Sequence, residues 1–244
     1  MLSGTVGVRS RTIGSALASA ATLDRVETER VEIETPRGAL PVFVVTPEGW
    51  PPGPAVLVIQ EWWGLNGQIR GVARRVAEGG FAALVPDLYR GKQTDEPDEA
   101  RKLAMGLDRT QAEADASAAI VWLLERGATG VGVVGFCMGG GIVWELARSE
   151  ERLGAAVPFY GGVDFREGGP AVVPFQAHYG TEDRFPQEMV EAIEAHRSDV
   201  PGSELHRYEG AGHAFMNEED DEYRADAAAV AWERMLSFFR SRLG

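Results

Sequence analysis

The chain has 244 residues, room for one domain whose core can enclose a pocket without disulfides or metal. It is 44% hydrophobic and 25% charged, well away from disordered compositions. Its formal net charge of -13 repels phosphate backbones and anionic lipid, so neither a nucleic acid nor a membrane is expected as partner. Any anionic substrate then needs a local cation.

The single cysteine, Cys137, excludes an intramolecular disulfide and suits a reducing, cytoplasmic setting. No run approaches the roughly eighteen apolar residues of a transmembrane helix. Arg9 and Arg11 precede a small-residue stretch ending in Ala18-Ser19-Ala20, a faint echo of a signal-peptide cleavage site. That stretch is short and poor in Leu, Ile and Val, so residues 1–23 are expected to be a flexible leader and 24–244 a single domain.

In chain order, Arg25 to Thr35 alternates apolar and charged residues, and Leu40 to Val45 follows the turn Pro36-Arg37-Gly38, predicting an antiparallel hairpin. A proline-rich loop, Trp50 to Pro54, leads into Ala55 to Ile59, a continuous apolar run of the kind buried on both faces of a parallel sheet. Strands and helices then alternate. Helices are predicted over Ile69–Glu78, over Glu99–Arg126 in two pieces around Gly106-Leu107-Asp108, over Met138–Arg148, over Met189–Arg197 and over Glu219–Leu243. Strands are predicted over Phe81–Val85, Val131–Val134, Ala155–Tyr160, Val172–Tyr179 and Glu204–Tyr208, with a polar loop at Gly91 to Pro97. The alternation predicts an α/β fold of the α/β-hydrolase kind: a mostly parallel central sheet, an antiparallel N-terminal hairpin, and helices on both faces. Working residues in such sheets sit at the carboxyl ends of strands.

Gly135-Phe136-Cys137-Met138-Gly139 has nucleophile-elbow spacing, with sulfur where a serine hydroxyl is more usual. A sharp strand-to-helix turn exposes the side chain above the sheet, and the flanking glycines remove colliding Cβ atoms. The helix N-terminus behind the sulfur lowers the thiol pKa and offers peptide N–H groups. Taken alone, the pattern fits a buried cysteine in a glycine-rich turn equally well. The chemistry needs a carboxylate and then a histidine downstream. Asp183 lies just past the strand Val172–Tyr179, and His213 sits in Gly210-Ala211-Gly212-His213 after the last strand, so the order is right. Of the other histidines, His196 is expected on the surface, His206 in a structural role, and His178 in the core or at the pocket. There is no HxxxH or CxxC spacing, so no metal site is expected.

With Gln60-Glu61-Trp62-Trp63-Gly64, Pro86-Asp87-Leu88-Tyr89, Gly135-Phe136-Cys137-Met138-Gly139-Gly140, Phe159-Tyr160-Gly161-Gly162, Gly180-Thr181-Glu182-Asp183 and Gly212-His213-Ala214-Phe215, the chain resembles the dienelactone hydrolase (carboxymethylenebutenolidase) family from about residue 25 onward. The resemblance implies a cysteine-dependent α/β-hydrolase without a cofactor, acting on a small lactone or carboxylic ester. It implies Cys137 as nucleophile, His213 as acid and base, Asp183 orienting the imidazole, and Glu61 helping to form the thiolate. The oxyanion hole would be the backbone N–H groups of Trp62 and Met138. Tyr89, Arg90, Phe136 and Phe215 would contact substrate, with Lys92 an alternative to Arg90 for a carboxylate. The family's second arginine, a few residues past the histidine, has no counterpart before Arg224. That departure favours a general small ester over the dienelactone itself. A non-catalytic small-molecule-binding relative is the rival from another class, and the oligomeric state is not legible.

Overall fold

The computed structural model describes residues 26–35, 37–165 and 169–244. The expected leader at residues 1–23 lies outside the described residues.

The N-terminal hairpin forms as expected. Strands β1 (Val26–Thr35) and β2 (Gly38–Pro47) pair antiparallel with Val31 opposite Val42. Strand β3 (Gly53–Ile59) follows, and its apolar run is buried on both faces. Helix α1 (Gly67–Glu78) is capped by Asn66, whose side chain accepts the Ile69 N–H at 3.1 Å. Strand β4 (Ala82–Pro86) precedes the helices α2 (Pro97–Gly106) and α3 (Arg109–Glu125). These two helices break where predicted, because the Asp108 side chain caps α3 through the Gln111 N–H.

Strand β5 (Ala128–Phe136) enters the elbow and α4 (Met138–Ser149) leaves it. Then come β6 (Leu153–Phe159), β7 (Gln176–Gly180), α5 (Gln187–Arg197), β8 (Glu204–Tyr208) and α6 (Ala225–Leu243). The eight strands form one sheet in the order β1-β2-β4-β3-β5-β6-β7-β8. Pairing is parallel from β4 through β8, and β2 meets β4 antiparallel. Apolar side chains pack on both faces of it. No helix among the described residues is long and apolar enough to cross a membrane.

Two boundaries differ from expectation by four residues or more, each for a local reason. Strand β7 starts at Gln176 rather than Val172. Pro174 has no N–H to give a ladder, and the N–H groups of Val172 and Val173 turn instead to the Ala147 carbonyl. The closing helix starts at Ala225 rather than Glu219. The side chains of Asn217 and Asp220 accept the N–H groups of Glu219 and Glu222, offering the backbone turns in place of a helix.

The elbow depends on close backbone approach. A Cβ on Gly140 would lie 2.5 Å from the Phe159 carbonyl oxygen and 2.9 Å from the Gly161 Cα. Both contacts are backbone, so neither can swing aside. Gly140→Ala is therefore expected to destabilise the protein by about 1–3 kcal/mol, the usual cost of overpacking. A chemical-denaturation midpoint equal to that of the unsubstituted protein would show that α4 is free to shift.

Candidate active site

Four strand ends converge on one cleft. Glu61 follows β3, Cys137 follows β5, Asp183 follows β7 and His213 follows β8. Cys137 occupies φ 53, ψ -113, a conformation that L side chains rarely adopt, and its N–H is held by the Phe159 carbonyl at 3.1 Å. No side chain caps α4, and the Met138 N–H at its start is directed to the sulfur.

His213 Nε2 lies 3.1 Å from Cys137 Sγ, and His213 Nδ1 lies 2.9 Å from Asp183 Oδ1. With the Nδ1 proton donated to the carboxylate, Nε2 is left as the acceptor facing the thiol. The His213 ring sits between Tyr160 and Phe185, at centroid distances of 5.1 and 5.5 Å. Its backbone N–H donates to Glu222 Oε2, so the turn after β8 is anchored by the segment leading into α6.

Glu61 is buried, with Tyr160 Oη donating to one carboxyl oxygen at 3.3 Å and Asn217 Nδ2 to the other at 2.9 Å. Asn217 Oδ1 is already taken by the Glu219 N–H, which fixes the amide with its NH2 toward Glu61. Burial raises the Glu61 carboxyl to about 7, against a smaller pull from its two donors. The Cys137 thiol is pushed up to about 12, first by burial and then by the neighbouring Glu61, while the Met138 N–H favours the thiolate. At neutral pH the sulfur therefore rests as a thiol.

The cleft encloses about 340 Å³ and is walled by Trp62, Trp63, Met138, Phe185 and Ala214 beside the groups above. Two cations line it that the sequence did not reveal, Arg109 at the start of α3 and Arg184 beside Asp183. Neither makes an ion pair among the described residues. Asp220 and Glu222 line the same cleft.

The expected substrate contacts lie elsewhere. Phe136 is fully buried in the core, stacked on Phe159 at 5.0 Å, and does not line the cleft. Phe215 is buried against Tyr208 and Tyr160. Arg90 is committed to Asp115 at 2.9 Å, and neither it nor Lys92 lines the cleft. Tyr89 is buried outside the cavity, its hydroxyl donating to Met138 Sδ at 3.2 Å, so it supports the elbow from behind. His178 is a core residue, bonded to Tyr208 and Gln176 and stacked on Phe159. His206 pairs with Glu204. His196 is more covered than expected: its Nε2 accepts the Ala171 N–H at 3.0 Å and its ring packs on Phe165. No cluster of three or more His, Cys, Asp or Glu side chains among the described residues is placed to hold a metal ion.

This sheet, with its elbow and the loop-borne acid and histidine, defines an α/β-hydrolase. The chain belongs to the dienelactone hydrolase family, whose model matches residues 40–243, and so to the carboxylic-ester hydrolases. It is 32% identical over 216 residues to the "Putative carboxymethylenebutenolidase" of Aquifex aeolicus, covering 82% of this chain and 93% of that one. It is 33% identical to Protein usf of Aquifex pyrophilus, with the same coverage. Among solved structures, a dienelactone hydrolase-like promiscuous phosphotriesterase from metagenomic libraries superposes with a TM-score of 0.80 at 26% identity, covering 91% of this chain and 100% of that one.

The raised Glu61 pKa has a consequence for stability. Between pH 4.5, its ordinary value, and about 7, the folded protein keeps a proton that the unfolded chain has lost. Stability from this group is thus full below pH 4.5 and falls as pH rises toward 7. Glu61→Gln has no such proton, so its melting temperature relative to the unsubstituted protein should rise between pH 5 and pH 8. A difference that stays constant over that range would show that Glu61 is ionised throughout.

Proposed function

We propose that the protein hydrolyses a small carboxylic ester or lactone through an acyl-thioester on Cys137. The observation that carries this reading is the unbroken line from Asp183 through His213 to a thiol on a strained elbow. The Cys137 proton passes to His213 Nε2 as sulfur bonds to the substrate carbonyl carbon. The carbonyl electron pair moves onto oxygen, where the N–H groups of Met138 and Trp62 receive it. Collapse expels the alcohol oxygen, which takes the proton from His213. A water then gives a proton to His213 as it attacks the thioester, and the sulfur leaves and regains that proton as the acid is released. Asp183 holds the imidazole in the tautomer this requires and balances its transient charge.

Burial, and after it Glu61, keeps the resting sulfur in the thiol form, which resists oxidation. A neutral Glu61 no longer opposes the thiolate, so its protonation eases attack. A lone thiol of this kind suits a reducing, cytoplasmic setting.

Cys137→Ala should abolish turnover of p-nitrophenyl acetate while leaving the fold intact. His213→Ala should lower kcat by about a thousandfold or more, as members of such a unit fail together. Wild-type turnover in Cys137→Ala would end the proposal. So would intact-mass spectra of substrate-quenched protein that never show an added acyl group on a single-turnover timescale.

Arg109 and Arg184 favour a substrate carrying a carboxylate, the role first expected of Arg90 or Lys92. Both guanidiniums line the cleft without an ion pair among the described residues, and Arg109 extends over the start of α4, where a Cβ on Gly141 would lie 3.3 Å from its Nη1. Replacing either by alanine should raise KM for an anionic lactone about tenfold or more, within the range for a hydrogen bond to a charged group. KM for its neutral methyl ester should barely move. Equal changes for both substrates would assign these arginines to packing instead.

A further inference from the structure

A second cavity of about 410 Å³ shares no lining residue with the catalytic cleft. It lies between the outer hairpin, α1 and the segment after β4. Phe43, Leu65, Pro41 and Val42 supply an apolar floor, while Arg30, Arg70 and Lys92 bring three cations to its walls.

Among the described residues none of the three makes a side-chain hydrogen bond or ion pair. Arg70 Nε is buried and unsatisfied. Burial, then repulsion from Arg30 and from Arg74, outweighs the attraction of Asp87 and holds the Arg70 pKa below its usual value. The acids nearby do not settle the account. Asp87 spends its oxygens on the N–H groups of Tyr89 and Gly91, and Glu32 is exposed on β1. Arg90, on the same wall, is committed to Asp115.

Acids outnumber bases by 13 in this chain, so cations have a surplus of possible partners. Arg30 and Lys92 are exposed at the cavity's rim, and the repulsion that Arg70 feels from Arg30 and Arg74 is what an incoming anion would relieve. The volume falls in the range of small-molecule sites, and guanidinium forks match a planar carboxylate.

We propose that this cavity is a second, non-catalytic binding site for a small organic carboxylate, with the anionic group between Arg30, Arg70 and Lys92 and an apolar body on Phe43 and Leu65. The site stands independently of the hydrolytic reading.

Benzoate is the probe, titrated calorimetrically into the full-length protein with benzyl alcohol as the uncharged control. The expected result is benzoate binding that survives Arg109→Ala/Arg184→Ala, weakens at least about tenfold in Arg30→Ala/Arg70→Ala, and exceeds that of benzyl alcohol by a similar factor. Hydrolysis of p-nitrophenyl acetate should be unchanged in Arg30→Ala/Arg70→Ala, which also reports that this variant is folded. Lys92→Ala, at an exposed loop position, should give a smaller loss in the same direction without threatening the fold. Benzoate binding unaffected by Arg30→Ala/Arg70→Ala and by Lys92→Ala would overturn the proposal. So would binding that disappears in Arg109→Ala/Arg184→Ala alone, or benzyl alcohol binding as tightly as benzoate.

Discussion

The backbone of Cys137 at positive φ is the constraint around which the site is assembled. A cysteine held there costs about 1–3 kcal/mol, and it persists only because its surroundings leave no alternative. On one side the buried strand β5 delivers it, and on the other α4 is pressed against the sheet. A Cβ on Gly139 would meet the Gln60 carbonyl oxygen at 2.5 Å, just as one on Gly140 would meet that of Phe159. The helix is thus seated on the ends of β3 and β6. That seating brings Glu61, which follows Gln60, to the sulfur, and it sets Tyr160, which follows Phe159, beneath both Glu61 and His213.

The electrostatics of the cleft follow from this packing. Two acids, the thiol and Glu61, share a desolvated space; burial disfavours ionisation of both, and Glu61 further disfavours the thiolate. Glu61 is steadied by the neutral donors Tyr160 and Asn217 rather than by a cation, so its proton is held near neutral pH. Asp183 is directed to the imidazole. The cleft thus sets a desolvated thiol and carboxyl among walls that carry both cations, Arg109 and Arg184, and acids, Asp220 and Glu222.

The supports lie outside the motifs. Asn217 belongs to the turn that replaces the expected start of the last helix, and Glu222 in that turn holds the His213 backbone. Tyr89 braces Met138 from behind. These residues carry no signature in a linear reading, since an asparagine in a polar loop has many uses and only its partner shows which one applies.

Local chemistry made much of this protein legible. Strand runs such as Ala55–Ile59, the helix break around Gly106-Leu107-Asp108, and the Gly-x-Cys-x-Gly spacing are short-range signals, and the structure places them where they were read. The order Cys137, Asp183, His213 was likewise visible, because each follows a recognisable strand. Side-chain direction and long-range pairing were not. Phe136 and Phe215 look like pocket residues by proximity to Cys137 and His213, yet packing turns them into the core. Arg90 looks free until Asp115 on α3 is brought against it, and Arg109, on that same helix, reaches the cleft only because α3 packs beside α4. The sequence by itself determined the elements and the reactive groups, since those depend on neighbours along the chain. Which cations remain unpaired, and which cavity they face, was decided by tertiary structure, because an ion pair is set by distance in space and not by separation in sequence.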